Sequence, residues 1–316
     1  MSKGFKKAFS MIELVFALIV MGIVASIGSS ILVQVYENYI TQKAVYTSSI
    51  KTEMVANQLV NLLTYRINGT TIGKNITDTN NSGTWTTSNG TWERLDRAVA
   101  GNPFKTLEWI GQDSDGFGAM ATQPWSGIAN YETSTMNSFQ TPASHLADAS
   151  TILSNLTNGK VDLTPAKPAG ILFDQKDNFY DDNLEYNPDC MGLIDPTPLH
   201  RVCIFPAAKV DDTHFSFTRA NQAKIVTERY KLSGSAYAIV PEVDKNDKLN
   251  DLYLYSNYQP WNGEVYTDGT KNLLLRNVSV FRFSENGGVL QFKLCQQEDI
   301  GMDANITTCK EKAVIK

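Results

Sequence analysis

Histidine is scarce in this chain, and the three that occur, His145, His200 and His214, lie in unrelated sequence contexts. The sequence also lacks a Ser-His-Asp arrangement, a His-Glu-x-x-His pair, a phosphate-cradling glycine loop and a dinucleotide fingerprint. These are the spacings that carry the common hydrolytic and nucleotide chemistries. We therefore expect no enzymatic activity and assign no catalytic residue.

Basic charge is not in excess either. The chain has 28 Lys and Arg against 33 Asp and Glu, which gives a formal net charge of −5. A broad electrostatic grip on nucleic acid needs clustered Lys and Arg. The composition thus gives no strong nucleic-acid signal, although a local basic patch remains open.

Cysteine occurs only four times, as two close pairs that are 13 and 14 positions apart. An even number of cysteines outside the membrane indicates disulfides in an oxidising compartment. Short loop closure favours Cys190–Cys203 and Cys295–Cys309, each worth about 3 kcal/mol in the chain-entropy estimate. Zinc is a weaker interpretation because no Cys-x-x-Cys or histidine spacing fits it.

Charge is nearly missing from one long segment near the N-terminus. The run Lys6-Lys7-Ala8-Phe9-Ser10-Met11-Ile12-Glu13 leads into an apolar stretch that reaches Val35, and Glu13 is its lone carboxylate. A helix that spans the hydrocarbon core needs about 20 apolar residues, so this stretch is long enough. A lone carboxylate in lipid costs a few kcal/mol and is expected to have a partner.

This segment resembles the N-terminus of type IV pilins and of the pseudopilins of type II secretion and DNA-uptake systems. The matching features are Ala8, Phe9, Ser10, Glu13 and the apolar run 14–33. The resemblance implies that a prepilin peptidase cuts between Ala8 and Phe9 and that the new Phe9 amine is methylated. It also implies that Glu13 meets the amine of a neighbouring subunit in the filament.

The implied partners are therefore prepilin peptidase, other pilin or pseudopilin subunits, an inner-membrane assembly platform and, before assembly, membrane lipid. The implied location is the bacterial inner membrane, with a single span and the head in the periplasm. Ser30 stands where many major pilins carry a helix-kinking proline, which favours a minor subunit. A signal-peptidase cut within 25–30 is the open alternative, and it would leave a secreted or simply anchored protein.

The helix is predicted to continue beyond the membrane. Its outer half has an amphipathic pattern, and Asn68-Gly69 is a natural stop. The apolar positions of that half are Val35, Ile40, Val45, Ile50, Met54, Val55, Leu59, Leu62 and Leu63. One helix from Phe9 to Ile67 would be about 90 Å long.

We predict an α+β fold in which this helix packs on an antiparallel sheet that carries a large loop-rich insertion. The predicted parts are a leader at 1–8, a membrane or filament-core helix at 9–35, its amphipathic continuation at 36–67, a loop-rich region at 68–220 and a sheet at 221–316. Short helices are predicted at 95–99 and 144–156, and strands at 170–173 and 201–205. A hairpin is predicted at 226–232 and 235–240, with further strands at 252–255, 272–283 and 289–294.

The sequence gives weaker support for two further kinds of site, a calcium site and N-glycosylation sites. Acidic clusters at 113–116, 174–182 and 244–251 carry oxygen ligands, but none has the alternating calcium-loop spacing, so solvated turns are favoured and no metal ligand is assigned. Asn80 and Asn305 each follow an acidic residue two positions earlier and precede Ser or Thr two positions later. Both therefore fit an extended bacterial N-glycosylation acceptor.

Three functions follow from these observations. The first is a structural subunit of a filament. The second is a binding module at a pilus tip, an adhesin or DNA receptor, which would use the aromatic-dotted region 68–220. The third is a plain membrane anchor for a periplasmic protein. The first and second are compatible with each other.

Overall fold

The computed structural model describes residues 10–74, 92–96, 104–118, 123–173, 188–194, 203–219, 226–243, 249–301 and 304–315. Over these residues one long N-terminal helix packs against a large antiparallel sheet, and a second antiparallel sheet lies beside it. The predicted α+β class is confirmed.

The long helix, α1, spans Met11–Thr64 and is 54 residues long, about 80 Å at 1.5 Å per residue. It ends before the predicted stop at Asn68-Gly69. The reason is tertiary: the Ile67 amide donates to the Ile110 carbonyl at 2.9 Å, and Arg66 forms a β-bridge with Gly111. The chain is drawn into sheet pairing before the glycine is reached.

The remaining elements are short helices and strands. The helices are α2 (Ser114–Gly118) and α3 (Leu146–Leu156). The strands are β1 (Ile72–Lys74), β2 (Trp92–Arg94), β3 (Thr106–Gly111), β4 (Ser138–Gln140), β5 (Ala169–Phe173), β6 (Phe205–Asp211), β7 (His214–Phe217), β8 (Tyr230–Ser233), β9 (Ser235–Val243), β10 (Asn250–Tyr258), β11 (Thr270–Asn286), β12 (Val289–Asp299) and β13 (Asn305–Ile315). Single 3-10 turns span Pro188–Met191, Pro260–Asn262 and Tyr266–Asp268.

The larger sheet has eight strands in the order β13-β12-β11-β10-β9-β3-β1-β2, and the smaller has five in the order β4-β7-β6-β5-β8. Every neighbouring pair is antiparallel. The described residues within 68–220 therefore contribute three strands to the larger sheet and four to the smaller one.

The hairpin predicted at 226–232 and 235–240 is wrong. Strand β8 pairs with β5 in the smaller sheet, whereas β9 pairs with β3 and β10 in the larger one. A tight hairpin needs a loop of at least two residues. Here Gly234 alone separates the strands, so the chain passes from one sheet to the other.

Three further expectations need correction. The strand predicted at 201–205 begins only at Phe205 and continues through Pro206 to Asp211. The helix predicted at 95–99 starts as a turn at Leu95 and Asp96, and the rest lies outside the described residues. The segment between Cys295 and Cys309 is not a loop throughout, because residues 295–299 belong to β12 and residues 305–309 to β13, and these two strands pair with each other.

The buried side chains form three clusters. One lies between α1 and the larger sheet and includes Leu59, Leu63 and Trp109. A second covers the opposite face of that sheet with the 188–194 segment and the 3-10 turns. The third fills the smaller sheet beneath α3 and is rich in phenylalanine. The smaller sheet thus has its own core.

The face that α1 turns to the sheet differs from the predicted one. Val55, Leu59 and Leu63 are buried as expected. The other buried residues are Ser48, Thr52 and Ala56, whereas Val35, Val45, Ile50 and Met54 are exposed. Small hydroxyl residues fit there because their hydroxyls find a partner on the sheet. Hydrophobicity alone therefore predicts the later part of the buried face, from Val55 to Leu63, and misses its beginning at Ser48 and Thr52.

Candidate functional site

The first half of α1 touches nothing else in the described part of the chain. Every residue from Ser10 to Tyr36 is exposed, including large side chains such as Phe16 at 64% and Leu32 at 71%. In the described residues this is the one helix long and apolar enough to span a membrane. A single membrane anchor at this end fits the structure.

Glu13 lies in the first turn of this bare helix and forms a capping box with Ser10. The Ser10 amide donates to Glu13 Oε2, and the Glu13 amide donates to Ser10 Oγ, both at 3.3 Å. Together they satisfy two of the amides that a helix start leaves without intrahelical acceptors. A carboxylate at this position is also favoured by the helix dipole.

The sequence analysis assigned Glu13 to intersubunit pairing and missed this local role. The signal was present, because Ser10-Met11-Ile12-Glu13 directly before an apolar run has the spacing of a capping box. The predicted cut site, Ala8 and Phe9, lies outside the described residues. The structure therefore places the carboxylate and leaves the rest of the motif a prediction.

Polar contacts join the second half of α1 to the sheet. Gln296 Oε1 accepts hydrogen bonds from the hydroxyls of Ser48 at 3.2 Å and Thr52 at 3.3 Å. The next residue, Glu53, forms ion pairs with Lys312 at 2.5 Å and Lys310 at 3.3 Å on the edge strand β13. These lysines hold the pKa of the Glu53 carboxyl below its ordinary value.

A buried arginine fixes the end of α1. Arg66 is 1% exposed, and its Nη2 lies 3.3 Å from Glu285 Oε1 and 3.3 Å from the Gly288 carbonyl. Its Nη1 donates to the Leu63 carbonyl at 3.0 Å. The arginine therefore joins the last helical turn to the β11–β12 hairpin, so the helix and the sheet are attached at both ends of their contact.

The four cysteines are joined in the two pairs that short loop closure favours. Cys190 and Cys203 have Cα atoms 5.2 Å apart, and Cys295 and Cys309 have Cα atoms 4.0 Å apart. The second pair lies directly across the β12–β13 ladder. It therefore links the edge strand that carries both lysine partners of Glu53 to the rest of the sheet.

The remaining predicted sites are dispersed. Asn305 is exposed at the start of β13, which suits an acceptor, whereas Asn80 lies outside the described residues. Among the acidic clusters, 174–182 and 244–248 also lie outside them. In 113–116 the Asp113 carboxylate accepts from the Gly116 amide and from Trp125 Nε1, each at 3.1 Å.

No group of three or more His, Cys, Asp or Glu that could hold a metal occurs among the described residues. Of the histidines, His145 precedes α3 and His214 contacts Asp211 at 2.9 Å on an exposed turn. His200 is outside the described residues. The structure thus brings together Glu13 and the bare helix, and it does not gather the other predicted residues into a second site.

The bare helix with its single first-turn carboxylate is accordingly the candidate site. Comparisons with models of protein families, with curated proteins and with solved structures find no match to this chain.

Proposed function

We propose that this chain is a minor pilin-like, or pseudopilin, structural subunit that assembles into a filament of a type II secretion, type IV pilus or DNA-uptake machine. The observation that carries the proposal is the division of α1. One unbroken helix passes from a bare apolar half, with a single carboxylate in its first turn, to a half packed on an antiparallel sheet. Such an element can leave lipid for a helical filament without refolding.

In this proposal the chain is made as a single-pass protein of the bacterial inner membrane with its head in the periplasm. Prepilin peptidase removes residues 1–8, and the platform delivers the mature chain to other pilin subunits. Glu13 then faces the amine of a neighbour's Phe9. An unpaired carboxylate in an apolar filament core is costly, so this pairing would fix the register between subunits.

The size of the head supports a minor or tip position. About 250 residues follow α1, folded as two sheets with separate cores. A head this large is hard to repeat at every step of a closely packed filament. A subunit used once or a few times, at the tip or in priming, has no such restriction.

The first test is the mass of the N-terminal peptide of the protein purified from its native membrane. We expect a peptide that begins with N-methylated Phe9. A peptide that begins beyond Ala25, or at Met1, would contradict the proposal and favour a secreted or simply anchored protein.

The second test separates the two roles of Glu13. Glu13→Gln should be processed normally but incorporated into filaments at least tenfold less, because the charge that pairs with the amine is gone. Ser10→Ala is the matched control: it removes the capping hydroxyl at a cost of about 1 kcal/mol and keeps the carboxylate. Equal loss in both variants would show that Glu13 acts only as a cap.

A second candidate function, binding at a filament tip, is favoured by one observation. A cavity of about 270 Å³ lies between the end of α1, the end of α3 and the larger sheet, with Asn61, Gln112, Asp115 and Tyr237 in its lining. Amide, carboxylate and phenol groups can hydrogen-bond a polar ligand. Saturable binding of a glycan by the full chain in detergent, weakened by Asn61→Ala, would support an adhesin. The net charge of −5 argues against DNA as the ligand.

A further inference from the structure

The cavity at the end of α1 is lined by carboxylates and by no basic side chain. Asp113 and Asp115 are the charged residues of its described lining, in which Lys, Arg and His do not occur. Arg66 directly follows the lining residue Tyr65, but it lies outside the lining and is paired with Glu285 at 3.3 Å. The charge that faces the cavity is therefore negative.

Two helices end at this cavity and add to its negative charge. Helix α1 ends at Thr64 and α3 ends at Leu156, and neither has a basic residue in its last turn. The C-terminal end of a helix carries the negative end of the helix dipole, where cations are favoured. The two helix ends and the two carboxylates thus act in the same direction.

The phenol of Tyr237, which also lines the cavity, responds to this charge. Burial raises the pKa of Tyr237, and the carboxylates of Asp115 and Asp113 raise it further, whereas a hydrogen bond with Ser235 lowers it. Both carboxylates therefore act on the interior of the cavity, and a positively charged ligand would be stabilised there.

We infer that this cavity binds the protonated amino group of a sugar at the end of a glycan. Its volume of about 270 Å³ is slightly below the about 300 Å³ at which pockets for drug-sized ligands begin, which suits a single sugar ring. The inference deepens the second candidate function and rests on it, because it specifies the charge of the glycan that a tip subunit would bind.

The lining provides acceptors for the ammonium group of such a ligand, which has three N–H donors. The Asp113 carboxylate accepts hydrogen bonds from the Gly116 amide and from Trp125 Nε1. These two bonds hold the carboxylate in place, and a carboxylate has further lone pairs for a third donor. Asp115 is exposed at the same wall and supplies a second carboxylate.

The rest of the lining suits the uncharged parts of a sugar. Asn61 and Gln112 carry side-chain amides that can both donate to and accept from hydroxyl groups. The ring of Tyr65 offers an aromatic face, which attracts cations and packs against apolar surface. One ring with an ammonium group and several hydroxyls therefore finds a partner for each of its groups.

The cavity is open to solvent and distant from the bare half of α1. Two of its lining residues, Tyr65 and Leu156, are 50% and 52% exposed. Along α1, 25 positions separate Tyr36 from Asn61, about 38 Å of helix. The cavity thus stays accessible when the bare half is buried in lipid or among other helices.

A metal ion fits this cavity less well than an organic cation. Ca²⁺ takes about 6–8 oxygen ligands, usually with several carboxylates. The described lining has only two carboxylates, and no group of three or more His, Cys, Asp or Glu that could hold a metal occurs in the described part of the chain. An ammonium group needs only a few acceptors, which the lining supplies.

A ligand-observed NMR titration of the full chain in detergent at pH 7 tests the charge of the ligand. The probes are glucosamine, N-acetylglucosamine and glucose, which share one ring and differ at one position, where only glucosamine carries a charge. We expect saturable binding of glucosamine and at least tenfold weaker binding of both neutral sugars. Equal binding of all three, or binding of none, would overturn the inference.

Matched variants test whether the sugar binds in the cavity. Asp115→Asn removes an exposed carboxylate from the lining and should weaken glucosamine binding at least tenfold. Glu228→Gln makes the same charge change at an exposed residue six positions before Gly234, about 20 Å along an extended chain, and should leave the affinity unchanged. Thermal midpoints check that both variants are folded. Equal losses in the two variants would mean that only the net charge of the protein matters, which would contradict the inference.

Failure of the inference is distinguishable from failure of the proposed function. If glucose binds as tightly as glucosamine and Asn61→Ala weakens both, tip binding stands and the inferred charge is wrong. If no sugar binds while Phe9 is methylated and Glu13→Gln blocks incorporation, the filament assignment stands without tip binding. If Phe9 is not the first residue and Glu13→Gln has no effect, the filament assignment itself fails.

Discussion

Asp113 is a carboxylic acid that the fold removes from water. Burial raises the pKa of Asp113 to about 6, although hydrogen bonds from the Gly116 amide and Trp125 Nε1 act in the opposite direction. The nearby Asp115 carboxylate raises this pKa further. Because the ordinary value is 3.8, the folded protein holds this proton more tightly than the unfolded chain does.

The sign of the pH dependence follows from that difference. Between about pH 4 and pH 6 the folded state keeps the proton and the unfolded state loses it, so the free energy of unfolding falls as pH rises. The total loss attributable to Asp113 is about 3 kcal/mol. Urea unfolding in detergent from pH 4 to pH 7.5 should show this slope in the wild type, and Asp113→Asn should lack that part of it. Parallel pH profiles would contradict the assignment.

Glu108 is the centre of a buried polar cluster beneath the larger sheet. Glu108 and Lys74 are each 1% exposed and form an ion pair, and the Tyr258 hydroxyl donates to Glu108 Oε1 at 2.8 Å. Burial and the Glu108 carboxylate raise the pKa of Tyr258 well above its ordinary value. The Tyr258 hydroxyl therefore keeps its proton and donates it to Glu108. Lys74 also donates to the carbonyl of Leu193, which lies near the Cys190–Cys203 disulfide in the sequence.

The cluster predicts a graded loss of stability. Glu108→Gln keeps the shape of the side chain but leaves the Lys74 ammonium without its counter-ion, which should cost about 3–5 kcal/mol. Tyr258→Phe removes one hydrogen bond to a charged group and should cost about 1.5–3 kcal/mol. The measurement is the urea midpoint of each single variant and of the double variant. Additive losses would show that the tyrosine and the carboxylate do not act together.

At the scale of elements, the passage from β8 to β9 depends on Gly234. A Cβ atom at this position would lie 2.9 Å from Leu153 Cδ2 and 3.3 Å from Thr157 Cγ2. Leu153 is buried in the core of the smaller sheet, so it has little room to move. The end of α3 therefore packs directly against the segment that joins the two sheets.

Gly234→Ala should accordingly destabilise the head by about 1–3 kcal/mol, the usual cost of overpacking. Gly118→Ala is a matched control, because no atom lies within 4 Å of a Cβ atom built there, and it should change stability by less than about 1 kcal/mol. Thermal unfolding followed by tryptophan fluorescence compares the two. Equal midpoints for both variants would mean that the crossing has more room than its geometry indicates.

Local patterns predicted the elements but not their partners. The long helix, α3 and the strands β10, β11 and β12 follow from apolar periodicity and turn residues, and each occurs close to its expected place. The pairing of β8 with β5 depends on contacts between residues about 60 positions apart, which no local pattern contains. Strand β13 was not predicted because exposed and half-buried residues alternate along most of it. Its sequence therefore gives only a weak apolar signal.

The candidate site, too, could be predicted from the sequence only in part. The bare helix and Glu13 could be predicted because a membrane-length apolar run and a lone carboxylate are local features. The start of the face of α1 that contacts the sheet could not, because the buried hydroxyls of Ser48 and Thr52 have their acceptor in Gln296, nearly 250 residues further along the chain. Hydrogen bonding to a distant strand overrode the apolar pattern that had selected Ile50 and Met54.

At the scale of the whole molecule, α1 has a first part that is not packed on the head and a second part that is. No residue from 10 to 40 is buried, whereas burial against the head begins at Ser48. The described contacts of the head with α1 therefore do not depend on the apolar half. A change in the surroundings of the bare half therefore requires no change in the described contacts between α1 and the head.

A fragment that begins at Thr41 should therefore be soluble and keep the stability of the head. It retains the contacts of Ser48 and Thr52 with Gln296, the ion pairs of Glu53 and the buried Arg66. Its thermal midpoint, after export to an oxidising compartment, should lie within about 3 °C of the full chain in detergent.

The matched comparison is a fragment that begins at Val60. It loses the buried residues Ser48, Thr52, Val55, Ala56 and Leu59, and with them one side of the core against which Trp109 and Leu294 pack. Burial of Val55 and of Leu59 is worth about 1.5–3 kcal/mol each, and the polar contacts of Ser48, Thr52 and Glu53 are lost as well. The total is comparable with the usual margin of a domain, about 5–15 kcal/mol. This shorter fragment should be unfolded or aggregated. If it folds as well as the longer one, α1 is an attachment to the sheet and not part of its core; if neither folds, the head depends on the apolar half after all.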